Sequence, residues 1–395
     1  MMRKVFLVSV CILFSFRISA QNDSCRQGIP APSLSGYFSD RTSLMLLQKP
    51  HDAIWDHELQ NRVKMAWQPL TWISSELQIR NRFSFGESFA LNPMLATSAG
   101  NDRGVADLSF TLAQGKRYAV TSMIDRAFLQ LTFKKLELAV GRQRINWSQT
   151  LVWNPNDLFN TYSFFDFDYP ERPGSDAIRC TWFYSATGRA EMAVKADSSG
   201  KITAGGLFRW NMWSSDFQIL AAVLPHHELV LGGGWSTNFG KYGFRGEVSW
   251  FHPGIDSLKG SDMILTSVSL DVMFYKSWYL IAEVLYRWEQ KPAPEKTLMD
   301  YYYAPATVKD LAFADVSALV QLNVPVTPLF TVSLAAMGLP GKGFYLGPSF
   351  SFSLSNNLEA SLISQIFSGL FSEYAGGPEI RQTFYLNFLR LKWNF

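Results

Sequence analysis

The chain ends in a strand in which apolar and polar residues alternate strictly. Residues 389–395 read Leu-Arg-Leu-Lys-Trp-Asn-Phe, so every second side chain is apolar and the side chains between them are Arg, Lys and Asn. A period of two residues indicates a β-strand whose two faces meet different surroundings. One face suits lipid and the other suits water, which is the pattern of a transmembrane β-barrel strand.

Helical membrane spans are excluded for the chain after residue 20. A spanning helix needs about 18 or more consecutive apolar residues, and no such run occurs after residue 20. Backbone groups in lipid must be paired internally, so a closed barrel is the remaining way to span. The aromatic content of 15% suits the two interface girdles of a barrel. A soluble β-sandwich or propeller is the alternative fold.

The first 20 residues are typical of a secretory signal peptide. Arg3 and Lys4 precede the apolar stretch 5–16, which is too short to span a membrane. Small residues at 18–20 predict cleavage after Ala20.

The mature chain is predicted to be one domain. Residues 21–34 are expected to form a short periplasmic segment, and 35–395 the outer-membrane barrel. Cys25 and Cys180 remain after cleavage. An oxidising compartment allows a disulfide between them, and two free thiols are an equal alternative.

Amphipathic segments separated by turn residues predict an all-β, antiparallel barrel of about 18 strands, with 16 or 20 as alternatives because residues 105–112 could form a further strand. The predicted strands are 35–47, 54–67, 71–85, 124–134, 135–146, 175–185, 189–196, 200–213, 215–224, 227–238, 241–252, 263–275, 278–288, 311–323, 328–338, 343–355, 357–368 and 380–395.

Short and long connections alternate, and this asymmetry predicts the orientation of the barrel. Tight turns, such as 68–70, 134–135, 323–325 and 356–357, are expected to face the periplasm. Longer connections are expected to face outward, and they are 86–123, 147–174, 253–262, 289–310 and 369–379.

Charged residues in the strands are predicted to face a water-filled lumen, because an Arg or Lys on the lipid face at the midplane costs about 2–4 kcal/mol. Basic residues outnumber acidic ones in this inward set, which favours a mild anion preference. Cross-strand ion pairs that merely stiffen the wall are the alternative. The candidates for lining or constricting the pore are Arg62, Arg80, Arg82, Arg126, Arg142, Arg144, Asp157, Asp166, Asp168, Glu171, Arg179 and Arg245.

Two strands depart from simple alternation. The apolar face of 136–140 continues as Arg142 and Arg144, so either a bulge at Gly141 turns the arginines inward or they lie above the lipid at lipopolysaccharide phosphates. In the last strand the apolar register changes near Phe388, which predicts a bulge there.

The most distinctive segment is 141–160, which reads GRQRINWSQTLVWNPNDLFN. Its Gly-Arg-Gln strand end, Asn-Trp pair and Asn-Pro-Asn-Asp loop resemble Gram-negative outer-membrane porin-like barrels, a group that shades into alginate-export and phosphate-porin-like families. Ser148 stands where such relatives often carry Gly. The resemblance implies a diffusion or export channel in the outer membrane, surrounded by lipid and lipopolysaccharide. The terminal Trp393 and Phe395 likewise resemble the sorting signal read by the barrel-assembly machinery.

The connection 147–174 is long, aromatic and acidic. Loops this apolar seldom stay solvated, so it is expected to pack against something. We predict that it folds into the barrel mouth, narrows the pore and places its acids opposite Arg142 and Arg144. Packing over the rim or onto a neighbouring subunit is the alternative.

No enzyme or metal motif is recognised. The five histidines lack metal-ligand spacing, and the glycines 232–234 lie within a strand, where they favour barrel curvature over phosphate binding. Without a Lys/Arg run, the net charge of +3 does not indicate nucleic-acid binding. We predict no catalytic residue and no cofactor.

The predicted function is a porin-like outer-membrane channel for passive or weakly selective diffusion of small hydrophilic solutes. A transporter or exporter of a specific substrate, such as a polysaccharide or a hydrophobic compound, is the first alternative. A non-channel surface receptor is the second, and the oligomeric state is left open.

Overall fold

The structure, a computed structural model, describes residues 30–46, 53–92, 95, 100–102, 104–167, 171–254, 260–291, 307–311, 314–372 and 379–395. All of its strands belong to one compact unit, Pro32–Phe395. The predicted signal peptide, Cys25 and Asp168 lie outside the described residues.

Nineteen strands and one short helix make up the regular structure of the described residues. They are β1 (Ser33–Leu46), β2 (Ala53–Leu70), β3 (Ile73–Gly86), α1 (Glu87–Leu91), β4 (Ser109–Gly115), β5 (Tyr118–Phe133), β6 (Leu136–Gln143), β7 (Ser175–Trp182), β8 (Arg189–Ala196), β9 (Ile202–Met212), β10 (Ser215–Leu224), β11 (Glu228–Phe239), β12 (Tyr242–His252), β13 (Met263–Met273), β14 (Tyr279–Glu289), β15 (Val316–Thr327), β16 (Phe330–Leu339), β17 (Gly343–Ser355), β18 (Leu358–Ser372) and β19 (Glu379–Asn394). Single 3₁₀ turns occur at Pro225–His227 and Tyr275–Ser277.

Eighteen of these strands close a single antiparallel barrel, which confirms the predicted fold class and strand count. The first and last strands pair from Tyr37↔Asn394 to Leu46↔Tyr385. Gly36 and Phe395 extend this seam by exchanging two backbone hydrogen bonds of 3.0 Å. The closed ladder leaves no sheet edge, as a wall in lipid requires.

The strand β4 is the additional strand, and it leaves the parity of the barrel unchanged. Within the described residues β4 pairs only with residues 118–123 of β5. Residues 127–133 of β5 pair with β6 instead. On its other side β5 pairs directly with β3. The ambiguity over residues 105–112 is therefore resolved as a short strand outside the closed ladder.

Some predicted boundaries were wrong. The turn expected at 323–325 lies at residues 328–329, because β15 continues through Pro325. Pro325 lies beyond the last residue of β15 that pairs with β14, which is Asn323, so its missing N–H removes no bond from that ladder. The turn expected at 68–70 likewise lies at 71–72.

Side chains alternate between an exposed apolar outer face and a covered inner face. In β14, Val284 is 46% exposed while the flanking Glu283 and Leu285 are each 1% exposed. Exposed Leu, Val, Phe and Trp recur in this way around the barrel. An apolar surface of this extent suits the lipid-facing side of a membrane barrel.

A row of aromatic rings runs from the end of β7 to the end of β9, across the intervening β8. Ring centroids are 5.9 Å apart for Trp182 and Tyr184, 5.1 Å for Tyr184 and Phe208, and 5.8 Å for Phe208 and Trp210. Such a row suits the interface between lipid and water. None of the described helices is long and apolar enough to cross a membrane.

The last strand contains no bulge at Phe388, contrary to the prediction. Its pairing with β1 and β18 runs without a register shift. Leu389 points outward, whereas Leu386 and Phe388 are buried on the inner face. The apolar register changes because the inner wall itself becomes apolar, and Phe388 meets the ring of Phe167 at 4.7 Å.

Arginine substitutions at two adjacent positions of β15 test which face of the strand points outward. Val320 lies on the outer face near the middle of the strand, and Gln321 is its inward neighbour. We expect Val320→Arg to destabilise the barrel by about 2–4 kcal/mol, because the charge enters lipid. Gln321→Arg should be tolerated. Urea unfolding in lipid vesicles, followed by heat-dependent gel mobility, measures both, and equal effects would contradict the assignment.

Candidate functional site: the lumen and its inward-folded loop

Basic side chains line the inner face of five consecutive barrel strands. We call this set the basic strip. Arg62 lies directly opposite Arg80 on β2 and β3. Arg41 lies directly opposite Arg390 on β1 and β19. The strip consists of Arg41, Arg62, Arg80, Arg82, Arg126, Arg390 and Lys392. Like charges placed directly opposite one another are unfavourable in a sheet.

Carboxylates between these side chains offset part of the repulsion. Asp125 Oδ2 lies 2.6 Å from Arg62 Nη1 and 3.5 Å from Arg80 Nε. Glu58 pairs with Arg41 at 3.5 Å, and Arg390 pairs with Glu359 at 3.3 Å. The pairs are cross-strand, so they also brace the wall.

Asp125 is a site residue that the period-two pattern missed. A register shift in β5 places Ile124 opposite Ile79 and Arg126 opposite Gln78, so no β3 residue lies directly opposite Asp125 in the ladder. The bulge turns both Asp125 and Arg126 away from lipid, and they are 2% and 5% exposed. Two adjacent charged residues within one strand are the signal that could have revealed it.

Residues 144–174 connect β6 to β7, and we call them loop 144–174. The end of this loop contacts the basic strip. Arg126 donates two hydrogen bonds of 2.8 Å to the carbonyl oxygens of Glu171 and Arg172. The Glu171 carboxylate lies 3.6 Å from Arg62 Nη1 and accepts a hydrogen bond from the Tyr37 hydroxyl at 3.3 Å.

Arg142, near the end of β6, forms ion pairs within the chain, and the bulge predicted to turn it inward is absent. The pairing of β5 with β6 passes Gly141 without a register shift, so the predicted bulge is absent. Arg142 forms ion pairs of 2.5 Å with Asp102 and 2.7 Å with Asp176, and it also donates to the carbonyl oxygen of Ala106. Its acidic partners are therefore not the loop acids that the sequence suggested.

After Gln143 the chain turns into the barrel, where loop 144–174 packs against inward-facing side chains. Trp147 is fully covered, and its indole N–H donates to Glu191 on β8 at 2.5 Å. Gln218 on β10 donates to the carbonyl oxygen of Trp147 at 2.7 Å. The ring of Phe159 meets Trp147 edge-on at 4.8 Å.

The asparagines of the Asn-Pro-Asn-Asp motif fasten the loop to itself and to the wall. Asn154 donates to the carbonyl oxygen of Thr150 at 2.9 Å. Asn156 donates to the carbonyl oxygen of Gly233 at 2.9 Å and accepts from the Ser249 hydroxyl at 2.8 Å. The motif therefore defines how the loop sits against β11 and β12.

The glycines of β11 leave space for this motif. The sequence had instead suggested that they allow barrel curvature. A Cβ atom at Gly232 would lie 2.7 Å from Asn156 Oδ1. A Cβ atom at Gly234 would lie 3.2 Å from Gln149 Oε1. The outward-facing Gly233 has no such restriction, since its nearest contact would be 3.5 Å away.

Aromatic side chains of the loop cover an apolar patch on the far wall. Trp153 and Phe165 join a buried cluster with residues of β14 to β19, including Leu319 and Phe367. The rings of Phe165 and Phe367 are 5.0 Å apart. Burying each such side chain contributes about 1.5–3 kcal/mol, so this packing is a main source of the loop's stability.

Asp157 is buried inside the folded loop, and burial raises its pKa to about 6 against the opposing effect of Arg144. Arg172 and Lys195 are the other cations that act on it. Its Oδ1 accepts the backbone N–H of Asn160 at 3.3 Å, while Oδ2 has no hydrogen-bond partner. Of the predicted loop acids that the structure describes, Asp157 is the one on which Arg144 acts.

The remaining candidates are dispersed. Asp166 is exposed on the loop, and Arg179 is half-buried on β7 between Ala139 and Ala193. Arg245 on β12 pairs with Asp271. Cys180 lies on β7, and a disulfide with Cys25 stays a prediction. The described residues contain no group of His, Cys, Asp and Glu that could hold a metal ion.

Solved structures of bacterial Occ proteins share this architecture. The crystal structure of Pseudomonas aeruginosa OccK11 (OpdR) matches with a TM-score of 0.59 and 9% identity, covering 92% of this chain and 96% of that chain. Acinetobacter baumannii OccAB2 matches with a TM-score of 0.58 and 11% identity, covering 92% and 98%. This chain has the fold of these proteins, a closed antiparallel barrel of 18 strands.

A third similar structure is that of Pseudomonas aeruginosa OccK2 (OpdF) in complex with glucuronate. Its TM-score is 0.57 at 11% identity, and the match covers 93% of this chain and 99% of that chain. No protein-family model matches the sequence, and no curated protein matches it. The barrel fold is thus shared with proteins that are only 9–11% identical in sequence.

Matched alanine substitutions test the glycine run. Gly232→Ala should destabilise the docked loop, because its Cβ would displace Asn156. Gly233→Ala should be neutral, because it faces away from the loop. Limited proteolysis of the folded barrel, read as the rate of cleavage within loop 144–174, compares the two. Equal cleavage rates would contradict the role assigned to Gly232.

The buried Asp157 predicts a pH dependence. Its pKa in the folded chain lies above the ordinary 3.8, so protonation of Asp157 favours the folded barrel. This contribution to the free energy of unfolding is complete below pH 3.8 and is lost as the pH rises through about 6. Asp157→Asn should therefore stabilise the barrel above pH 6, by up to about 3 kcal/mol. Below pH 3.8 the two proteins should be equally stable.

Unfolding midpoints in detergent between pH 3 and 8 measure this effect. The control is Asp166→Asn, which neutralises an exposed acid of the same loop. A constant difference between Asp157→Asn and the parent protein at every pH would contradict the prediction.

Proposed function

We propose that the protein is an outer-membrane channel through which small hydrophilic solutes diffuse, with a mild preference for anions. The observation that carries this proposal is the basic strip on the inner wall. Charges of one sign on a low-dielectric wall focus the field and raise the local concentration of counter-ions. An anion beside the strip also relieves the repulsion between Arg62 and Arg80 and between Arg41 and Arg390.

Loop 144–174 is proposed to constrict the path. It occupies the acidic and apolar side of the lumen and reaches the basic strip through Glu171. A solute would therefore pass between the loop and the strip. The glucuronate in the similar OccK2 structure supports small anionic solutes as one class that passes.

The proposed location is the outer membrane of a Gram-negative bacterium. The apolar outer belt supports contact with lipid, and the porin fold of the similar structures supports that membrane. Contact with lipopolysaccharide belongs to the same proposal. Trp393 lies on the outer face, 6.0 Å from Phe38 between ring centroids, and with Phe395 it is proposed to be read by the barrel-assembly machinery.

The likeness of segment 141–160 to alginate-export and phosphate-porin-like barrels supports the same class of function. Nothing in the described lumen favours a dedicated exporter or a surface receptor over a diffusion channel. No catalytic role is proposed for any residue.

Reversal potentials in planar bilayers under a salt gradient test the proposal. We expect the parent protein to conduct and to favour chloride. Lys392→Gln and Arg82→Gln should each lower the chloride preference by about twofold, because a unit charge about 10 Å away in water is worth roughly 0.4 kcal/mol. Lys241→Gln, at an exposed turn outside the lumen, is the control and should change nothing. Lack of conductance, or a cation preference in the parent protein, would contradict the proposal.

A further inference from the structure

We infer that Glu247 and Glu283 are positioning residues, which hold loop 144–174 across the barrel by its backbone rather than act as charges on the solute's path. The inference rests on the proposed function, because the position of the loop matters only if the lumen conducts. It identifies what sets the width of the constriction.

Glu247, on β12, receives amides from two separate parts of the loop. Its Oε1 accepts the backbone N–H of Gln149 and, at 2.9 Å, that of Thr150. Its Oε2 accepts the backbone N–H of Asn156 at 2.9 Å. The side chain is fully covered. One carboxylate thus ties together the start and the end of the turn 149–156.

Glu283, on β14, receives three consecutive amides. The backbone N–H groups of Leu151, Val152 and Trp153 donate to it at 3.2, 3.0 and 2.7 Å. The hydroxyl of Ser267, on the intervening strand β13, donates at 2.8 Å and orients the carboxylate. Consecutive amides that converge on one anion form a nest, which suits a carboxylate.

The two carboxylates and the loop amides satisfy each other's hydrogen-bonding requirements. Among the described residues, neither Glu247 nor Glu283 makes an ion pair, so the loop amides are their main hydrogen-bond donors. An ionised carboxylate only accepts hydrogen bonds, and a buried N–H group without an acceptor is costly. Undocking the loop would leave both sets of groups without these partners, so the docked arrangement is strongly specified.

This arrangement also changes how charge in the lumen is distributed. Glu247 and Glu283 face inward, yet they are 0% and 1% exposed because the loop covers them. A passing solute therefore meets the basic strip and the free face of the loop. Loop position and lumen charge are coupled through the same two side chains.

Glutamine substitutions separate an anchor from a lumen charge. In Glu247→Gln and Glu283→Gln, the new NH₂ group donates where the loop amides need an acceptor. Each lost hydrogen bond should lower the docking equilibrium of the loop by about tenfold. We expect larger and noisier single-channel steps. The control, Glu359→Gln, removes a carboxylate that pairs with Arg390 and makes no hydrogen bond to the described residues of the loop. It should shift only the reversal potential.

A substitution on the loop side leaves the charges unchanged. Val152→Pro removes one of the amides that donate to Glu283 and keeps the carboxylate. It should reproduce the larger, noisier steps of Glu283→Gln. This variant decides the question even if the glutamine variants fail to assemble, and heat-dependent gel mobility verifies assembly in every case.

A disulfide should reverse the effect. The side chains of Asn156 and Ser249 are in contact, with 2.8 Å between Oδ1 and Oγ. In a chain carrying Cys25→Ser and Cys180→Ser, the pair Asn156→Cys and Ser249→Cys should pin the loop again in the Glu247→Gln background. Parental steps should return on oxidation and disappear on reduction.

Thiol protection gives a readout that does not depend on conductance. Val152 is 8% exposed, so Val152→Cys in the same cysteine-free background should react slowly with a charged thiol reagent. Adding Glu283→Gln should accelerate the reaction about tenfold for each lost hydrogen bond, whereas adding Glu359→Gln should not.

The outcomes distinguish the two proposals. Steps and thiol protection that are the same in Glu283→Gln as in Glu359→Gln would overturn the anchoring role. A parent protein without conductance would instead overturn the channel, and the thiol rates would still decide whether the carboxylates hold the loop.

Discussion

Every backbone amide that leaves bulk water needs a hydrogen-bond partner, and this requirement shapes both the wall and the interior of the protein. In the wall the closed ladder supplies the partners, and the pairing of β1 with β19 removes the last open edge. Inside the barrel a loop has no neighbouring strand to pair with. Side-chain carboxylates of Glu247 and Glu283 take that role for the turn 149–156.

The interior is divided by chemistry. One side, from β8 to β18, offers carboxylates, small residues and an apolar patch, and loop 144–174 covers it with Trp147, Trp153 and Phe165. The other side keeps a concentration of arginines that a sheet would ordinarily avoid. Asp125 and Glu171 compensate part of this charge. The folded loop thus leaves the basic strip as the main charged feature beside the proposed path.

Much of the fold could be predicted, because a strand between lipid and a lined interior must alternate, and alternation can be read along the chain. The prediction from sequence failed where a residue contacts a part of the chain that is distant in sequence. Phe388 suggested a bulge because the inner wall was assumed to be polar throughout, yet it packs on Phe167. Gly232 suggested curvature, although it makes room for Asn156. Asp125 was missed because a bulge interrupts the period of two.

Alternation and the lack of long apolar runs suffice to specify an antiparallel barrel and its approximate strand number. They suffice because each depends on a residue and its immediate neighbours. Many partners inside the barrel lie far apart in the chain, as do Gln149 and Glu247, which are 98 residues apart. No local pattern records such a pair. Which charges remain uncovered beside the path therefore follows from how the loop packs in three dimensions.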